Sequence, residues 1–535
     1  MIIESVQYIV TIVTPLLLLP VLFGRAIHWT YLWQLKEYRL DRFRDYASTN
    51  SGRVFLLGWW RCIEAVLFVV TVIILLYSTL SNSTTLLVSF YGITLLYVTF
   101  LLLRTIRWRV MPKWTAKTLL IMAVSVLIFS ALWGLAVTIS PLVTILLLII
   151  SPFIQTVIIF AIEPVIIFKK KQIMKKAASK LKEISPTVVG ITGSYGKSTT
   201  KEFLRTMLAP HFAVLATENN VNVDIGVAQT ILDSLDKKHA VFIVEMGAYR
   251  KGEIASSCSI ATPDISVITA IANQHAALFG SVDDIRDAKS EIVESLSPQG
   301  HAILNYDSEG THGVELRTEA TVTWYSMSDP TAVHANNVHM LPHEVQFDLH
   351  IGEKSIPVTA TLHGKQAIPS ILAAASVAHH LGLSLEDIAN GIGRLSPVSG
   401  TMNVQDGING AIIIDDSYNS NPDGFIAALD YMQTFTDKRK IVITNGMYEL
   451  GDYAENEHHR VGKVIADTAD YILIGKEDYA EPLITGAVGQ GMPDHLIFIG
   501  DIEQQLRGMA LQENDVVLIQ GRVSAQVIDY LVHTK

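Results

Sequence analysis

One glycine-rich segment near the middle of the chain carries the strongest indication of chemistry. It reads Gly190-Ile-Thr-Gly-Ser-Tyr-Gly-Lys-Ser-Thr-Thr200 and joins a short β-branched run, 187–192, to a helical pattern, 197–208. Glycines at a strand-to-helix turn let backbone N–H groups close around phosphate oxygens, and the helix dipole favours the same anion. The segment therefore predicts a nucleotide-phosphate loop. The alternative is a glycine turn that binds no nucleotide.

Two side chains of this loop suit the phosphates and their metal. The Lys197 ammonium can reach the β- and γ-phosphates, and the Ser198 hydroxyl can ligate Mg²⁺. The other cofactor contacts expected along the loop are Gly193, Ser194, Tyr195, Gly196 and Thr199. Glu245 ends a later predicted strand and His275 follows another, so both suit metal coordination beside Ser198. An ordinary surface acid and a non-ligand histidine are the alternatives.

The spacing of the loop is unusual, because the common G-x-x-x-x-G-K pattern would need a glycine where Ile191 stands. T-G-x-x-G-K-S/T is the form that Mur ligases carry, and further segments match that family in order. They resemble its Asn-rich loop, its E-M-G-x-x-x-x-G-E-I, H-x-x-x-F-G-S, A-K-x-E-I and D-D-x-Y-N-A-N-P motifs and its G-x-M-x-E-L-G…H element, at 217–226, 245–254, 275–281, 288–292, 415–422 and 446–458. The part of the chain from 185 to 535 thus resembles a Mur ligase, most closely the branch that adds D-alanyl-D-alanine to UDP-N-acetylmuramoyl tripeptide.

The resemblance implies an ATP-dependent carbon–nitrogen ligase. Such an enzyme phosphorylates a substrate carboxylate using ATP and Mg²⁺, and an amine then displaces phosphate from the acyl phosphate. The residues implied in catalysis are Lys197, Glu245, His275 and Lys289. In the family the lysine that matches Lys289 is carbamylated and ligates a second Mg²⁺; a plain surface lysine is the alternative. Asp416 and Asn419 would contact the nucleotide from a C-terminal domain, unless Asp416 only caps a turn.

Several family positions differ in this chain. The G-x-H-N-x-x-N element reads GKQAIPS at 364–370, the arginine after the interdomain break is Thr401, and the terminal K-G-S-R reads QGRV at 520–523. The phosphate and metal chemistry is therefore expected to be kept, while the adenine and substrate contacts are altered. The expected substrates are a UDP- or lipid-linked muropeptide and an amino acid or dipeptide. The alternatives are the same ligase chemistry on another peptide polymer, and a catalytically impaired membrane nucleotide sensor or scaffold.

These motifs need elements that hold them at one edge of a sheet. Short buried runs alternate with helical patterns from residue 187 onward, which predicts an α/β fold with mostly parallel sheets. A break near 395–401 divides this part into a central ATP-binding domain, 187–396, and a smaller Rossmann-like C-terminal domain, 397–535. The expected strands include 187–192, 241–244, 265–270, 302–304, 411–414, 441–444, 471–474 and 516–519.

The first third of the chain has a different composition. Apolar runs near 6–23, 65–80, 86–103, 119–137 and 142–168 approach the ~20 residues that a membrane-spanning helix needs. They predict a helical membrane domain, 1–168, of about five spans, followed by a basic linker, 169–186. Lys and Arg concentrate in alternate loops, which predicts a multi-pass cell-membrane protein with its N-terminus outside and its catalytic domains in the cytoplasm.

Charge separates the same two regions. Residues 1–183 hold 19 Lys and Arg against 7 Asp and Glu, and the remainder holds 22 against 44. A basic region suits contact with anionic membrane lipid, and the acidic remainder argues against a nucleic-acid partner. The two cysteines, Cys62 and Cys258, cannot form a disulfide framework.

Overall fold

The computed structural model describes residues 2–48, 52–53, 66, 69–70, 73, 111–139, 141–218, 221–273, 276–398, 401–417, 420–475 and 479–533. The chain forms two units, Met1–Lys171 and Gln172–Lys535. In chain order the helices and strands are α1 (Ile2–Leu35), α2 (Leu40–Ser48), α3 (Ala116–Ile139), α4 (Pro141–Ile184), β1 (Thr187–Thr192), α5 (Lys197–Leu208), β2 (Val214–Ala216), α6 (Asp224–Ser234), β3 (Val241–Glu245), α7 (Glu253–Cys258), β4 (Ile265–Ile268), α8 (Ala276–Phe279), α9 (Val282–Glu294), β5 (His301–Asn305), β6 (Thr321–Ser326), β7 (Val333–Met340), β8 (Val345–Ile351), β9 (Lys354–Ala360), α10 (Ile368–His380), α11 (Leu385–Ile392), β10 (Asn403–Asp406), β11 (Ile412–Asp416), α12 (Pro422–Gln433), β12 (Arg439–Thr444), α13 (Ala454–Thr468), β13 (Tyr471–Ile474), α14 (Ala480–Gly489), β14 (Ile497–Ile499), α15 (Ile502–Met509), β15 (Asp515–Gln520) and α16 (Ala525–His533).

The described part of the first unit is built from helices. Helices α1, α3 and α4 share an apolar cluster that includes Leu22, Trp33, Phe129 and Leu148. By length and composition, α3 and the stretch Leu146–Ile184 of α4 could each cross a membrane. The spans predicted near 65–80 and 86–103 fall outside the described residues, except for four positions in the first of them.

The basic segment predicted as a linker, 169–186, is helical as far as Ile184. Within the second unit, Ala177 and Leu181 are buried in one apolar cluster with Val227 and Ile231 of α6. The two α4 residues are four positions apart, so they lie on one face of the helix and pack together. The part of this segment from 172 to 184 is therefore an ordered helical element of the second unit.

The first sheet of the second unit has nine strands, in the order β2-β3-β1-β4-β5-β6-β7-β8-β9. Neighbouring strands are parallel from β2 to β7 and antiparallel from β7 to β9. Consecutive residues of β1 pack into different apolar clusters, one on each face of the sheet. Val188 belongs to one cluster and Val189 to the other. Helices thus cover both faces of the parallel part, which explains its nearly continuous apolar strands.

The second sheet has six strands, in the order β10-β11-β15-β12-β13-β14, and β10 is antiparallel to β11. Its two faces also carry separate apolar clusters. The α/β prediction is confirmed, whereas the antiparallel strands β7 to β9 are an addition that the sequence did not reveal. In the first sheet β1 lies between β3 and β4, so the loops at the carboxyl ends of these three strands meet.

Candidate functional site

The glycine-rich segment forms the turn from β1 to α5. Gly193 and Gly196 have φ values of 152° and 80°, and a side chain at Gly193 would collide with the Thr269 hydroxyl. The loop is fastened to the end of β4, because Ser194 N–H donates to the Ala270 carbonyl at 2.7 Å. The Thr269 hydroxyl donates to the Tyr195 carbonyl. The backbone is therefore held in the open turn that a phosphate cradle requires.

Lys197 begins α5 and folds back over this turn. Its ammonium donates to the carbonyls of Gly193 and Ser194 at 2.7 and 3.2 Å. Burial lowers the pKa of Lys197, and the charge of Glu245 opposes that shift. The cation thus lies at the mouth of the loop, where the sequence placed it, and the loop itself holds it in position.

Glu245 ends β3 beside the loop, and its carboxylate is 2% exposed. The Ser198 hydroxyl donates to its Oε2 at 2.8 Å, and the Asn222 amide donates to its Oε1 at 3.2 Å. The Lys201 ammonium lies 3.7 Å from Oε2. A hydroxyl and a carboxylate in contact provide the oxygen donors that Mg²⁺ prefers, so the residues present fit that ion.

Lys289 lies on α9 and is only 2% exposed. Its pKa is lowered well below its usual range, first by burial and then by the nearby charge of Lys197. The alternative of a plain surface lysine is therefore wrong. The charge of Lys197 acts on Lys289, so the structure places this buried amine close to the phosphate loop.

Asp416 is the described nucleotide-contact candidate from the second sheet. It ends β11, and its Oδ1 accepts a hydrogen bond of 3.1 Å from Met402 N–H, just after the interdomain break. Burial raises its pKa to about 7, against weaker lowering by hydrogen bonds from Gln520 and Met402. Gln520 stands where the family motif has lysine, so a neutral amide replaces the cation that would keep this carboxyl ionised. His275 and Asn419 lie outside the described residues, and their roles stay predictions.

We expect Asp416→Asn to raise the free energy of unfolding by on the order of 2 kcal/mol above pH 7, and by little near pH 4. The folded carboxyl keeps its proton up to a pH of about 7, whereas its unfolded value is 3.8. Folding of the wild type therefore becomes less favourable as pH rises through this window, and asparagine removes that cost. Denaturant unfolding at about pH 4, 6 and 8 measures the difference.

The exposed Asp406 on β10 offers a matched control for this change. Asp406→Asn should alter stability equally little at each pH, because it changes an exposed side chain at the surface of β10. A stabilisation by Asp416→Asn that does not depend on pH would contradict the assignment.

Lys201 is a site residue that the sequence did not single out. It is fully buried, donates to the Thr217 carbonyl at 2.7 Å and lies beside Glu245. Its position four residues after Lys197 places both lysines on one face of α5, which is the signal that could have identified it. Lys201 therefore places its ammonium group beside the carboxylate of Glu245.

These contacts assemble an anion cradle, an oxygen-lined cation site and a buried amine along one edge of the first sheet. The hypothetical side chain at Gly196 would also touch the Ser370 hydroxyl at 3.4 Å, so α10 adjoins the same loop. One hydrogen bond joins the two domains at this place, because Ala277 N–H of α8 donates to the carbonyl of Glu449, which follows β12 of the second sheet, at 3.2 Å. The arrangement suits phosphoryl transfer between ligands that are held by two domains.

Known proteins resemble this chain in both sequence and fold. Residues 191–378 match the Mur ligase middle domain, and residues 401–523 match the Mur ligase glutamate ligase domain. The UDP-N-acetylmuramoyl-tripeptide–D-alanyl-D-alanine ligase of Escherichia coli is 30% identical over 349 residues, which cover 64% of this chain and 75% of the relative.

Solved structures agree with these matches. MurF from Acinetobacter baumannii superposes with a TM-score of 0.61 at 27% identity, covering 68% of this chain and 80% of that one. MurF ligase from Thermotoga maritima in complex with ADP gives 0.59 at 24% identity, covering 66% and 80%, and at that identity it shows the fold alone. The predicted resemblance and the predicted class of ATP-dependent carbon–nitrogen ligase are confirmed. The chain belongs to the Mur ligase family, whose middle and C-terminal domains it carries.

Proposed function

We propose that this chain joins an amino acid or dipeptide to a carboxylate of a peptidoglycan precursor, as the named relatives do with UDP-N-acetylmuramoyl tripeptide and D-alanyl-D-alanine. The observation that carries the proposal is the contact of Ser198 with the buried Glu245, beside a glycine cradle and the ammonium of Lys197. These groups provide both the phosphate site and the metal site that ATP-dependent activation of a carboxylate requires.

The reaction has to bring two anions together. The substrate carboxylate attacks the γ-phosphorus of ATP, and ADP leaves. The amine nitrogen then attacks the acyl carbon, the carbon–oxygen bond to phosphate breaks, and the nitrogen loses a proton. Lys197 and the loop N–H groups would offset the phosphate charge, and Ser198 and Glu245 would hold Mg²⁺, which screens the two anions from each other when bound.

Lys289 would serve this chemistry as a carbamate. An amine adds to CO₂ only in its neutral form, and burial shifts the pKa of Lys289 downward, in the direction that favours this form. The nitrogen bonds to the carbon of CO₂ and loses a proton, which leaves two oxygens with one negative charge. The carbamate would attract Lys197 and a second Mg²⁺, whereas the protonated lysine would repel both.

We expect Lys289→Ala to lower the rate of amide formation by roughly two orders of magnitude, because a charge that stabilises the transition state is lost. A short carboxylate such as propionate should restore part of the rate by filling the space of the carbamate. The measurement is product formation with and without propionate. Lys251→Ala, which removes an exposed lysine paired with Asp284 and Asp287, is the control and should lose little. A variant that propionate does not restore would count against the carbamate.

The first unit would hold the enzyme at the cell membrane. Large apolar side chains are exposed along α3 and α4, and Leu127, Phe153 and Val157 are 72%, 75% and 66% exposed. An apolar surface of this kind on two long helices suits lipid contact. We propose a plasma-membrane protein with its N-terminus outside and its ligase domains in the cytoplasm, acting on a muropeptide that is linked to UDP or to lipid.

Phosphate release and product mass spectrometry on the detergent-solubilised protein test these proposals. The panel pairs UDP-linked and lipid-linked muropeptides with D-alanyl-D-alanine and with single amino acids. Product from the lipid-linked acceptor supports a membrane substrate, and product from the UDP form alone would exclude it. Nucleotide binding without any product would favour the alternative of a sensor or scaffold, for which the loss of arginine at Thr401 is the one supporting observation.

A further inference from the structure

Lys201 is a buried lysine that the chemistry proposed above does not use. Its side chain is inaccessible to solvent, and three acceptors surround its Nζ atom. They are the Thr217 carbonyl at 2.7 Å, Glu202 Oε1 at 3.4 Å and Glu245 Oε2 at 3.7 Å. Three acceptors around one nitrogen match the three N–H bonds of an ammonium group. The site therefore contains a second lysine ammonium group beside the proposed metal ligand, in addition to that of Lys197.

The backbone holds this ammonium group in place. Thr217, whose carbonyl accepts its shortest hydrogen bond, is itself fixed. Thr217 N–H donates to the Ile243 carbonyl at 3.0 Å, and Thr217 Oγ1 accepts from Glu245 N–H at 3.1 Å. Lys201 cannot move away without leaving buried acceptors unpaired, which is costly. Lys197 differs, because it lies at the mouth of the phosphate loop, where a nucleotide can take up its charge.

Lys201 and the proposed metal ion would lie beside the same oxygen atom. Ser198 donates to Glu245 Oε2 at 2.8 Å, and this is the oxygen that the Lys201 ammonium group approaches. A divalent ion held by this hydroxyl and this carboxylate would meet a positive charge at short range, with little water to screen it. The two cations would repel each other. Lys201 therefore opposes the attraction of Glu245 for a metal ion.

The nearby carboxylates do not offset this repulsion. Glu202 shares its charge with Arg205, which donates to its Oε2 at 2.8 Å. Within the part of the chain that the structure describes, no group of three or more histidine, cysteine or carboxylate side chains could hold a metal ion. Glu245 thus faces two lysines, Lys197 and Lys201, with a single negative charge. Nucleotide phosphates would add the negative charge that is missing, and Mg²⁺ commonly binds through one or two carboxylates together with phosphates.

We infer that Lys201 makes metal binding at Glu245 depend on the nucleotide. Without nucleotide, its ammonium group keeps a free divalent ion out of the site. With ATP, the phosphates outweigh this charge, and the ion enters together with the nucleotide. Lys201 is thus a positioning residue that acts on the metal through Glu245. The inference rests on the proposed function, which takes Ser198 and Glu245 as metal ligands, and the competing role for Lys201 is a purely structural tie between α5 and Thr217.

Binding of Mn²⁺ to the nucleotide-free protein separates these two roles. Mn²⁺ replaces Mg²⁺ as the probe, because the electron paramagnetic resonance signal of the free ion reports how much is bound. Lys201→Met removes the ammonium group and keeps a side chain of similar length. We expect the Kd for Mn²⁺ without nucleotide to fall by at least about ten-fold. A structural role predicts the opposite sign, because Glu245 would lose its fixed place and bind the ion more weakly.

Lys180→Met is the matched control, because Lys180 also donates to a backbone carbonyl, that of Leu232, at 2.8 Å. Leu232 lies in the last turn of α6, whereas the site adjoins the start of this helix through Asn222. The control should leave the affinity for Mn²⁺ unchanged. Adding Glu245→Gln to Lys201→Met should abolish the gain, which would locate the bound ion at Glu245.

A second neutral variant covers the case in which Lys201→Met does not fold. Lys201→Gln also removes the charge but keeps a donor that can face the Thr217 carbonyl. It should lower the Kd for Mn²⁺ without nucleotide in the same way. In the presence of a non-hydrolysable ATP analogue the wild type and both variants should bind Mn²⁺, since the phosphates then provide the charge.

Three results would overturn the inference. Equal Mn²⁺ affinities of the nucleotide-free wild type and the neutral variants would show that the ammonium group does not act on the ion. Weaker binding by both variants would leave Lys201 with a structural role alone. Wild-type protein that binds Mn²⁺ as tightly without nucleotide as with the ATP analogue would show that the nucleotide is not required. If the wild type forms no amide with any acceptor, the ligase function fails, and the Mn²⁺ titration still decides the role of Lys201.

Discussion

Replacing Lys197 with methionine should lower amide formation by at least about two orders of magnitude and weaken ATP binding. The ammonium already lies over the loop, 2.7 Å from the Gly193 carbonyl, so it needs little movement to meet a phosphate oxygen. Methionine keeps the length and the apolar stem of lysine but has no charge to place between the γ-phosphate and the substrate carboxylate. Initial rates and calorimetric titration with a non-hydrolysable ATP analogue measure the two effects.

The exposed Lys238 provides the control for that experiment, because its side chain is 71% accessible and pairs with Asp236 at the surface. Lys238→Met removes the same charge from the molecule at a distant place, so its rate should match that of the wild type. Equal losses in both variants would mean that net charge, and no local contact, controls the rate.

Glu245→Gln should be similarly damaging, with a loss of about two orders of magnitude that excess Mg²⁺ partly restores. The substitution keeps the shape of the side chain but removes the charge that attracts the cation. It also turns one acceptor into a donor, which must then face the Ser198 hydroxyl or the Asn222 amide that now donate to it. A titration of rate against Mg²⁺ concentration should shift to higher concentration by at least about ten-fold.

Glu202→Gln separates the metal from the neighbouring lysine. Glu202 lies 3.4 Å from the Lys201 ammonium, much as Glu245 does at 3.7 Å, whereas the Ser198 hydroxyl donates to Glu245. Its substitution removes one counter-charge of Lys201 and leaves the oxygen donors intact, so the Mg²⁺ dependence should not move. A shift of the same size in Glu202→Gln would show that the state of Lys201 is what matters.

The parts of the site that lie on one continuous stretch of chain were predictable. The loop from Gly193 to Thr199 follows from glycine spacing between a strand and a helix, and Glu245 follows from its place at a strand end. Lys201 was missed because its burial depends on β2 and β3 lying side by side, which brings the Thr217 carbonyl to its ammonium. Such a partner is invisible along the chain.

The fold shows the same division. Parallel strands such as β1 and β3 are short apolar runs, and this pattern was sufficient to predict them as strands. Strand β7 contains histidine and asparagine and has four exposed positions in a row, so it resembles loop sequence. Strand β9 is exposed at most of its first positions and contains a proline, which also weakens the strand pattern. The contact from Ala277 N–H to the Glu449 carbonyl depends on how two sheets meet, which no local pattern encodes.

The carboxylate of Asp416 connects the segment between the two domains with the nucleotide contact proposed for the second sheet. Met402, with a φ of 46°, holds an unfavourable backbone conformation for a side chain of its size, and its N–H bond to Asp416 helps to keep it there. A ribose hydroxyl that took this oxygen would compete with Met402 for it. Nucleotide binding would then weaken the bond that holds this segment, so the stiffness of the segment between the two domains would depend on whether the nucleotide is bound.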